Sequence, residues 1–315
     1  MTLPGPDQFA AETGRFRREL LAHCYRMVGS AHDAEDLVQE TYLRAWRAYA
    51  GFEGRSSVRS WLYRIATNVC LTAVRPRPMR VLPSGLAGPG RVAESQAADG
   101  DVRWLEPLPD AWICDDDPAA VVIGRESLRL ALIAGLQHLP ARQRAILLLR
   151  EVLAFSAAET AEILGTTTAA VKSGLQRARA RLSEVDPRPE DLLEPTDPRA
   201  RALLDGYLAA FERSDANLLE HVLRTDATLE ATPFREWQAG RADCIALLET
   251  QVMGAPGDWR LIATTANGQS AAVVYHRGRA DGVVVLAATA AGVSSVVKFH
   301  DPALVAAFGF PETSG

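Results

Sequence analysis

The stretch TTTAAVKSGLQRARARL, Thr166 to Leu182, sets Lys172, Arg177, Arg179 and Arg181 in a run that contains no acid. Cations at this density on one short segment suit phosphate neutralisation, and base edges are read by the polar side chains set among them. A basic run is ordinarily a solvated helix face, so its neighbours must decide the reading. Upstream, FSAAETAEILG places Ser156 and Glu159 in the S-x-x-E capping spacing, and Gly165 follows Leu164 where a helix should end in a tight turn. Val171, Leu175, Ala178 and Leu182 then recur at i, i+4, i+7 and i+11, which gives the second segment one apolar stripe. Two short helices around a glycine turn, the second one basic, predict a helix-turn-helix whose second helix enters a major groove. Lys172, Ser173, Gln176 and Arg177 lie off the stripe and are the side chains expected at bases and phosphates.

The chain that must position them has 315 residues, a length that predicts about two domains with room for a third. With 48% hydrophobic residues it reads as an ordinary globular protein. Its formal net charge of −5 is unevenly spread. From Pro187 onward there are 11 basic and 17 acidic residues, net −6, whereas the first 186 residues are net +1, so nucleic-acid contacts belong to the first part. Cys24, Cys70, Cys114 and Cys244 are scattered and form no C-x-x-C pair, which predicts neither a zinc site nor a disulfide framework and fits a reducing cytoplasm. No signal core or membrane-length apolar run is present, and no cofactor or metal is expected.

Along the chain, a helical block runs to about Arg80 and a second from about Ala119 to Val185. The stretch between them, rich in Gly, Pro, Ala and Asp, is expected to lack regular structure. In DAEDLVQETYLRAWRAY the residues Ala34, Leu37, Val38, Thr41, Tyr42, Ala45 and Trp46 form a core-facing stripe. Asp36, Gln39, Glu40 and Leu43 occupy the opposite face, a polar patch with one exposed leucine. The next segment interleaves Arg55, Arg59, Arg64, Arg75, Arg77 and Arg80 with Phe52, Trp61 and Tyr63, a composition suited to opened, single-stranded DNA. Trp61 is the aromatic expected to pack rather than face solvent; Asn68 and the loop before Trp61 are better placed to touch bases.

The motifs DAEDLVQETYLRAW, SVRSWLYRIATNVCL, LPARQRAILLLREV and SAAETAEILGTTTAAVKSGLQRARARL, in this order and spacing, resemble the extracytoplasmic-function (ECF) sigma factors of the sigma-70 family over roughly Phe9 to Val185. The resemblance implies a role for each part. Asp36, Gln39, Glu40 and Leu43 would dock on the clamp helices of the largest RNA polymerase subunit, and the second block would meet the flap region of the second-largest subunit. Arg59, Trp61, Tyr63, Arg64 and Asn68 would capture and melt the −10 element. Thr167, Thr168, Lys172, Ser173, Gln176 and Arg177 would read the −35 element of promoter DNA. Gly174 stands where the family often carries arginine, so Gly174→Arg is expected to tighten promoter binding and steepen its salt dependence.

From Asp99 to Asp117 the linker carries seven acids (Asp99, Asp101, Glu106, Asp110, Asp115, Asp116, Asp117) against Arg103 alone, and in the resembled family this linker threads polymerase channels built for polyanions. Trp104, Leu105, Pro107 and Trp112 are too apolar for water and are expected to pack on a C-terminal domain or in the polymerase channel. That domain, from about Arg199, reads as two amphipathic helices broken at Ser214–Asp215, a third helix from about Arg241, and short strands rich in Val, Ala and Thr. It looks like a SnoaL-like domain, the cone shared by polyketide cyclases and ketosteroid isomerases.

The expected fold is therefore multidomain: two all-α sigma domains, a helical bundle and a helix-turn-helix, plus an α+β cone with a curved antiparallel sheet. The expected boundaries are 1–85 for region 2, 86–118 for the acidic linker, 119–186 for region 4, 187–198 for a proline-rich linker and 199–315 for the cone. If the cone were an enzyme, Glu230, Glu236, His221, His276 and His300 would supply its acid/base groups, and its cavity could take a small molecule. The reading adopted is a non-enzymatic, cytoplasmic sigma factor, monomeric when free, regulated in cis by the cone. A ligand-sensing helix-turn-helix regulator and a cyclase-like enzyme fused to a DNA-binding module are the alternatives.

Overall fold

The structure, a computed structural model, describes residues 6–54, 56–75, 77–90, 98–113, 126–185 and 191–314. Arg55, Cys114 and Asp115 to Asp117, named above, lie outside them. The chain divides into two compact units, residues 1–80 with 112–187 and residues 81–111 with 188–315.

The first unit is helical. It comprises α1 (Pro6–Thr13), α2 (Arg17–Val28), α3 (Ala31–Tyr49), α4 (Val58–Val74), α5 (Leu130–Gln137), α6 (Ala141–Leu147, continued by a wider turn over Leu148–Val152), α7 (Ala157–Leu164) and α8 (Thr168–Val185). Small hydroxyl residues set the starts. Ser30 accepts from the Asp33 amide and Ser57 from the Ser60 amide, each at 3.0 Å, satisfying donors that a first turn leaves open. Ser156 and Glu159 form the reciprocal capping box, and Gly165 ends α7 at φ 57°, where a side chain would be strained. On α3, Ala34, Val38, Thr41 and Ala45 are buried, while Leu37, Tyr42 and Trp46 close the stripe at its edges. Phe9 of α1 meets Tyr42, Trp46 and Tyr49 edge-on, with ring centroids 5.2–6.2 Å apart.

The second unit holds a six-stranded sheet: β1 (Leu223–Thr232), β2 (Trp237–Ala239), β3 (Trp259–Ala266), β4 (Gln269–His276), β5 (Arg279–Thr289) and β6 (Gly292–Phe299). Their order is β2-β1-β6-β5-β4-β3. All neighbours are antiparallel except β1 and β6, which run parallel, so the sheet is mixed rather than wholly antiparallel. The cause is topological: the chain leaves β1 through α10 (Arg241–Leu247), builds β3 to β5 outward-in, and returns with β6 beside its starting strand. With α9 (Pro198–Arg213), α10 covers one face. Tyr207, Phe211, Cys244, Leu247, Leu229, Trp259, Leu261, Val284 and Leu286 form one buried cluster there. At about 1.5–3 kcal/mol for each large apolar side chain removed from water, this cluster is a principal source of the unit's stability. A last helix, α11 (Pro302–Ala307), packs on β5 and was not foreseen from sequence.

Residues 81–111, which include most of the segment expected to be a structureless linker, belong to this second unit. Val81 and Trp104 pair as a parallel bridge, Ala98 pairs with Phe234 and Pro109 with Ala266, and Pro83–Gly85 and Asp110–Trp112 form short 3-10 turns. Glycine and proline do forbid a helix or long strand here. They do not forbid backbone pairing to a ready-made sheet edge and turn.

Candidate nucleic-acid and polymerase interface

The polar face of α3 is free in the described structure. Asp36 and Gln39 are exposed, Glu40 is paired with Arg44 one turn on at 2.6 Å, and Leu43 is 50% exposed. A large apolar side chain standing so far out among acids is the composition of a small protein-docking patch.

On α8, Val171 and Ala178 are fully buried, Leu175 and Leu182 partly so, and Thr167, Thr168, Lys172, Gln176 and Arg177 are exposed, with Ser173 half-buried. Thr167 also caps the helix, its hydroxyl accepting from the Ala170 amide at 3.1 Å. Arg177 donates to the Ser173 hydroxyl, which holds two of the expected readers together. Arg179 is not unopposed in three dimensions, since it pairs with Glu151 from the wider turn that continues α6. The expectation for Gly174 is corrected. Gly174 is buried against α6, and a Cβ there would lie 2.5 Å from the Ile146 terminal methyl. Glycine permits the close approach of α6 and α8, so an arginine would start inside that contact rather than at a phosphate.

The five residues expected at the −10 element divide. Arg64 and Asn68 are exposed on α4. Trp61 is 5% exposed and stacks near Phe52 at 4.8 Å, and Tyr63 is wholly buried, so neither offers a face on which a base could lie in this arrangement. The Tyr63 ring sits 5.2 Å from His23 and 5.3 Å from Phe155, and its hydroxyl donates to Glu19 at 3.1 Å; burial drives its pKa well up. Arg59 is tied to Glu19 at 3.1 Å, with its guanidinium 4.7 Å from the Phe155 ring centre. The i, i+4 spacing that sets Arg59 and Tyr63 on one face of α4 is legible in sequence, but what covers that face comes from more than ninety residues away in the chain.

The linker segment is held by named bonds. The Leu105 amide donates to the Val81 carbonyl at 3.0 Å, the Leu108 amide to Asn267 Oδ1 at 2.9 Å, the Asn267 amide back to the Leu108 carbonyl at 3.0 Å, and the Gly268 amide to Asp110 Oδ1 at 2.8 Å. Leu105, Pro107 and Leu108 are buried, and the half-buried Trp104 donates through Nε1 to the Asp99 carbonyl at 3.1 Å. Trp112 belongs to the first unit. Sequence alone missed Leu108 and Asn267, and gave Asp110 only as one of the linker's acids. Its available signal was the Asn267–Gly268 turn pair, whose backbone at φ 57° and 66° presents amides outward.

The five acid/base candidates of the cone are not assembled into a site. Glu230 projects from the face of β1 opposite the apolar cluster, because its neighbour Leu229 belongs to that cluster and side chains alternate along a strand. Its carboxylate accepts the Ser84 amide at 2.8 Å, and burial raises its pKa. Glu236 is half-buried beside β2, His221 is exposed, and His276 stacks on Trp259 at 4.3 Å. His300 joins a structural ion pair: Asp281 meets Lys298 at 2.7 Å and His300 Nδ1 at 3.3 Å. Burial pushes the Asp281 carboxyl up, but bonds from His300 and Lys298 outweigh it and hold it low. Tyr207, Phe211 and Trp259 belong to the apolar cluster that α9 and α10 cover.

Comparison with known proteins follows this division of labour. Residues 14–77 match the family model for sigma-70 region 2 and residues 129–182 that for sigma-70 region 4. The ECF RNA polymerase sigma factor SigG of Mycobacterium tuberculosis is 49% identical, over 97% of this chain and 84% of its own. The chain belongs to the ECF RNA polymerase sigma factors. It is therefore a transcription initiation factor, a partner of core RNA polymerase and promoter DNA. The sigma factor is also similar to SigW of Bacillus subtilis, 27% identical over 56% of this chain and 87% of the relative. The crystal structure of the M. tuberculosis ECF sigma factor SigJ covers 96% of this chain and all of that one, with a TM-score of 0.61 at 22% identity, so the combined sigma and cone architecture recurs there as a fold. Among the described residues of the sigma factor, no helix is long and apolar enough to cross a membrane.

Proposed function

We propose that this sigma factor engages polymerase through Asp36, Gln39, Glu40 and Leu43 on the clamp helices of the largest subunit, with region 4 meeting the flap of the second-largest. Thr167, Thr168, Lys172, Ser173, Gln176 and Arg177 read the −35 element; Arg59, Arg64 and Asn68 serve the −10 element. The cone regulates initiation in cis by holding residues 81–111. The observation that carries the regulatory reading is the reciprocal pair of bonds between Leu108 and Asn267, the Leu108 amide to the Asn267 side-chain oxygen and the Asn267 amide to the Leu108 carbonyl, closed by Asp110 on the Gly268 amide. A segment fixed by hydrogen bonds on the cone is not at the same time free to thread a polymerase channel.

The test is run-off transcription with core polymerase on a library of upstream regions, comparing the full chain, a truncation after Pro195, and Asn267→Ala. More transcript from the truncation and from Asn267→Ala makes the cone a brake acting through the segment. Less transcript from both makes the docked segment a working part of initiation. Core binding without initiation by any form on any template overturns the sigma reading itself. Equal activity of all three removes the cone from regulation.

A further inference from the structure

Beyond its polymerase and promoter surfaces, we propose that region 2 carries a redox modification site: Cys24 of α2 and Cys70 of α4 are a buried dithiol that a peroxide closes to a disulfide, stapling the two helices. The pair stands 46 positions apart in the chain, so no C-x-x-C spacing marks it, and only the packing of α2 on α4 assembles it. Beside it, His23 Nε2 lies 3.1 Å from Thr67 Oγ1, which holds the same two helix faces against each other. Both cysteines are reduced and wholly buried, and the neutral Cys24 thiol donates to the Cys70 sulfur. Cys244, the third cysteine described, sits in the second unit and donates to the Ala227 carbonyl at 3.5 Å.

A thiol buried in apolar surroundings is ordinarily inert, and two features set this pair apart. The first is contact, since the thiol that must resolve an oxidised sulfur already touches it. The second is charge. The hydrogen bond to Cys70, then burial, then the charges of Cys70 and Glu35 push the Cys24 thiol well up, so Cys24 keeps its proton. Burial lowers the Arg144 guanidinium to about 10, and the charge of an ionised Cys70 acts against that, so this cation and a Cys70 thiolate favour each other. Cys70 is therefore the attacking sulfur. Its thiolate takes the near oxygen of hydrogen peroxide, the O–O bond breaks, and the departing hydroxide collects the proton that Cys70 gave up, leaving a sulfenic acid and one water. The Cys24 sulfur then attacks the Cys70 sulfur. The S–O bond breaks as the S–S bond forms, and hydroxide leaves with the Cys24 proton as a second water. Two thiols have lost two electrons and two protons, and the peroxide has been reduced to two waters. Because both sulfurs are shielded, oxidation waits on a local opening, and the disulfide once made is equally sheltered from reductants. The staple encloses all of α3, so it removes freedom from the unfolded chain.

The experiment treats the folded full chain, in a Cys114→Ser background, with hydrogen peroxide, then maps its peptides without reductant and follows its thermal unfolding by calorimetry. A peptide pair joined through Cys24 and Cys70 is expected, with one unfolding transition raised by roughly 10 °C and both changes reversed by dithiothreitol. Cys70→Ala and Cys24→Ala should show neither the link nor the shift. Where these variants fail to fold, the map of the unsubstituted pair still decides. Peroxide that leaves both thiols reduced, or carries either to sulfinic acid without joining them, overturns the site, and so does a link that forms only after denaturation. These readings use neither polymerase nor promoter, so their failure is separate from a failure of the function proposed above.

Discussion

Two helices in this chain carry the residue types that hold DNA, and the fold treats them oppositely. α8 turns Thr168, Lys172, Gln176 and Arg177 to solvent, whereas α4 has Tyr63 fully buried and Arg59 engaged by Glu19 and Phe155. The difference follows from their stripes. α8 buries small residues, Val171, Gly174 and Ala178, on one side only, and its polar face is left free. α4 is buried around more of its circumference, with Trp61, Leu62, Tyr63, Ala66, Thr67, Val69 and Cys70 all inside. A helix read as basic can thus be a ready surface or a covered one, and the number of faces that carry apolar residues decides which.

The contrast can be broken most sharply at Arg144. Arg144→Ala leaves Gln137 and the Met27 carbonyl without their donor in a buried site and should cost the first unit about 3–5 kcal/mol in denaturant unfolding, while Arg177→Ala on the open helix should change stability by less than ~0.5 kcal/mol. Equal effects would erase the distinction between the two surfaces. Leu108→Ala carries the same test to the second unit. Loss of a fully buried leucine should cost about 2–5 kcal/mol and expose the 105–110 amides to hydrogen exchange; Leu86→Ala, at 39% exposed, should do neither.

Acid should loosen the covered side first. His23 is wholly buried against Tyr63 and Thr67, and burial, aided by the Arg26 charge, lowers its pKa from 6.5 to about 3. The folded state holds it neutral, whereas the unfolded chain binds a proton below 6.5. Its contribution is therefore complete above that pH and lost progressively as pH falls toward 3, by about 2 kcal/mol between pH 6.5 and 5. Unfolding of the first unit measured across this range should follow a one-proton slope that His23→Gln abolishes.

Smaller effects sharpen the open side. Gly174→Arg should destabilise by about 1–3 kcal/mol through the Ile146 contact and should not steepen the salt dependence of promoter binding. Lys172→Ala should lower the magnitude of that salt slope by about 1 while leaving the melting temperature unchanged, as removal of one phosphate contact predicts.

The capping box at Ser156 and Glu159, the Gly165 turn, the two helix stripes and the alternating strands could all be read along the chain, because each depends on residues three or four apart or on neighbours. So could the family, since its motifs are local and ordered. The amino-acid sequence by itself determined most of the helices and strands, though not α11 or the bridges of the expected linker, and it determined where the positive charge lies and that Leu43 would stand exposed. Only the tertiary structure decided that Glu230 faces away from the apolar cluster, that Tyr63 is covered by Phe155, and that Leu108 is bound by Asn267. Each of those pairs joins residues 92 or more positions apart or depends on the register of one strand against another. Periodicity names the face a side chain occupies; only packing decides what lies across from it.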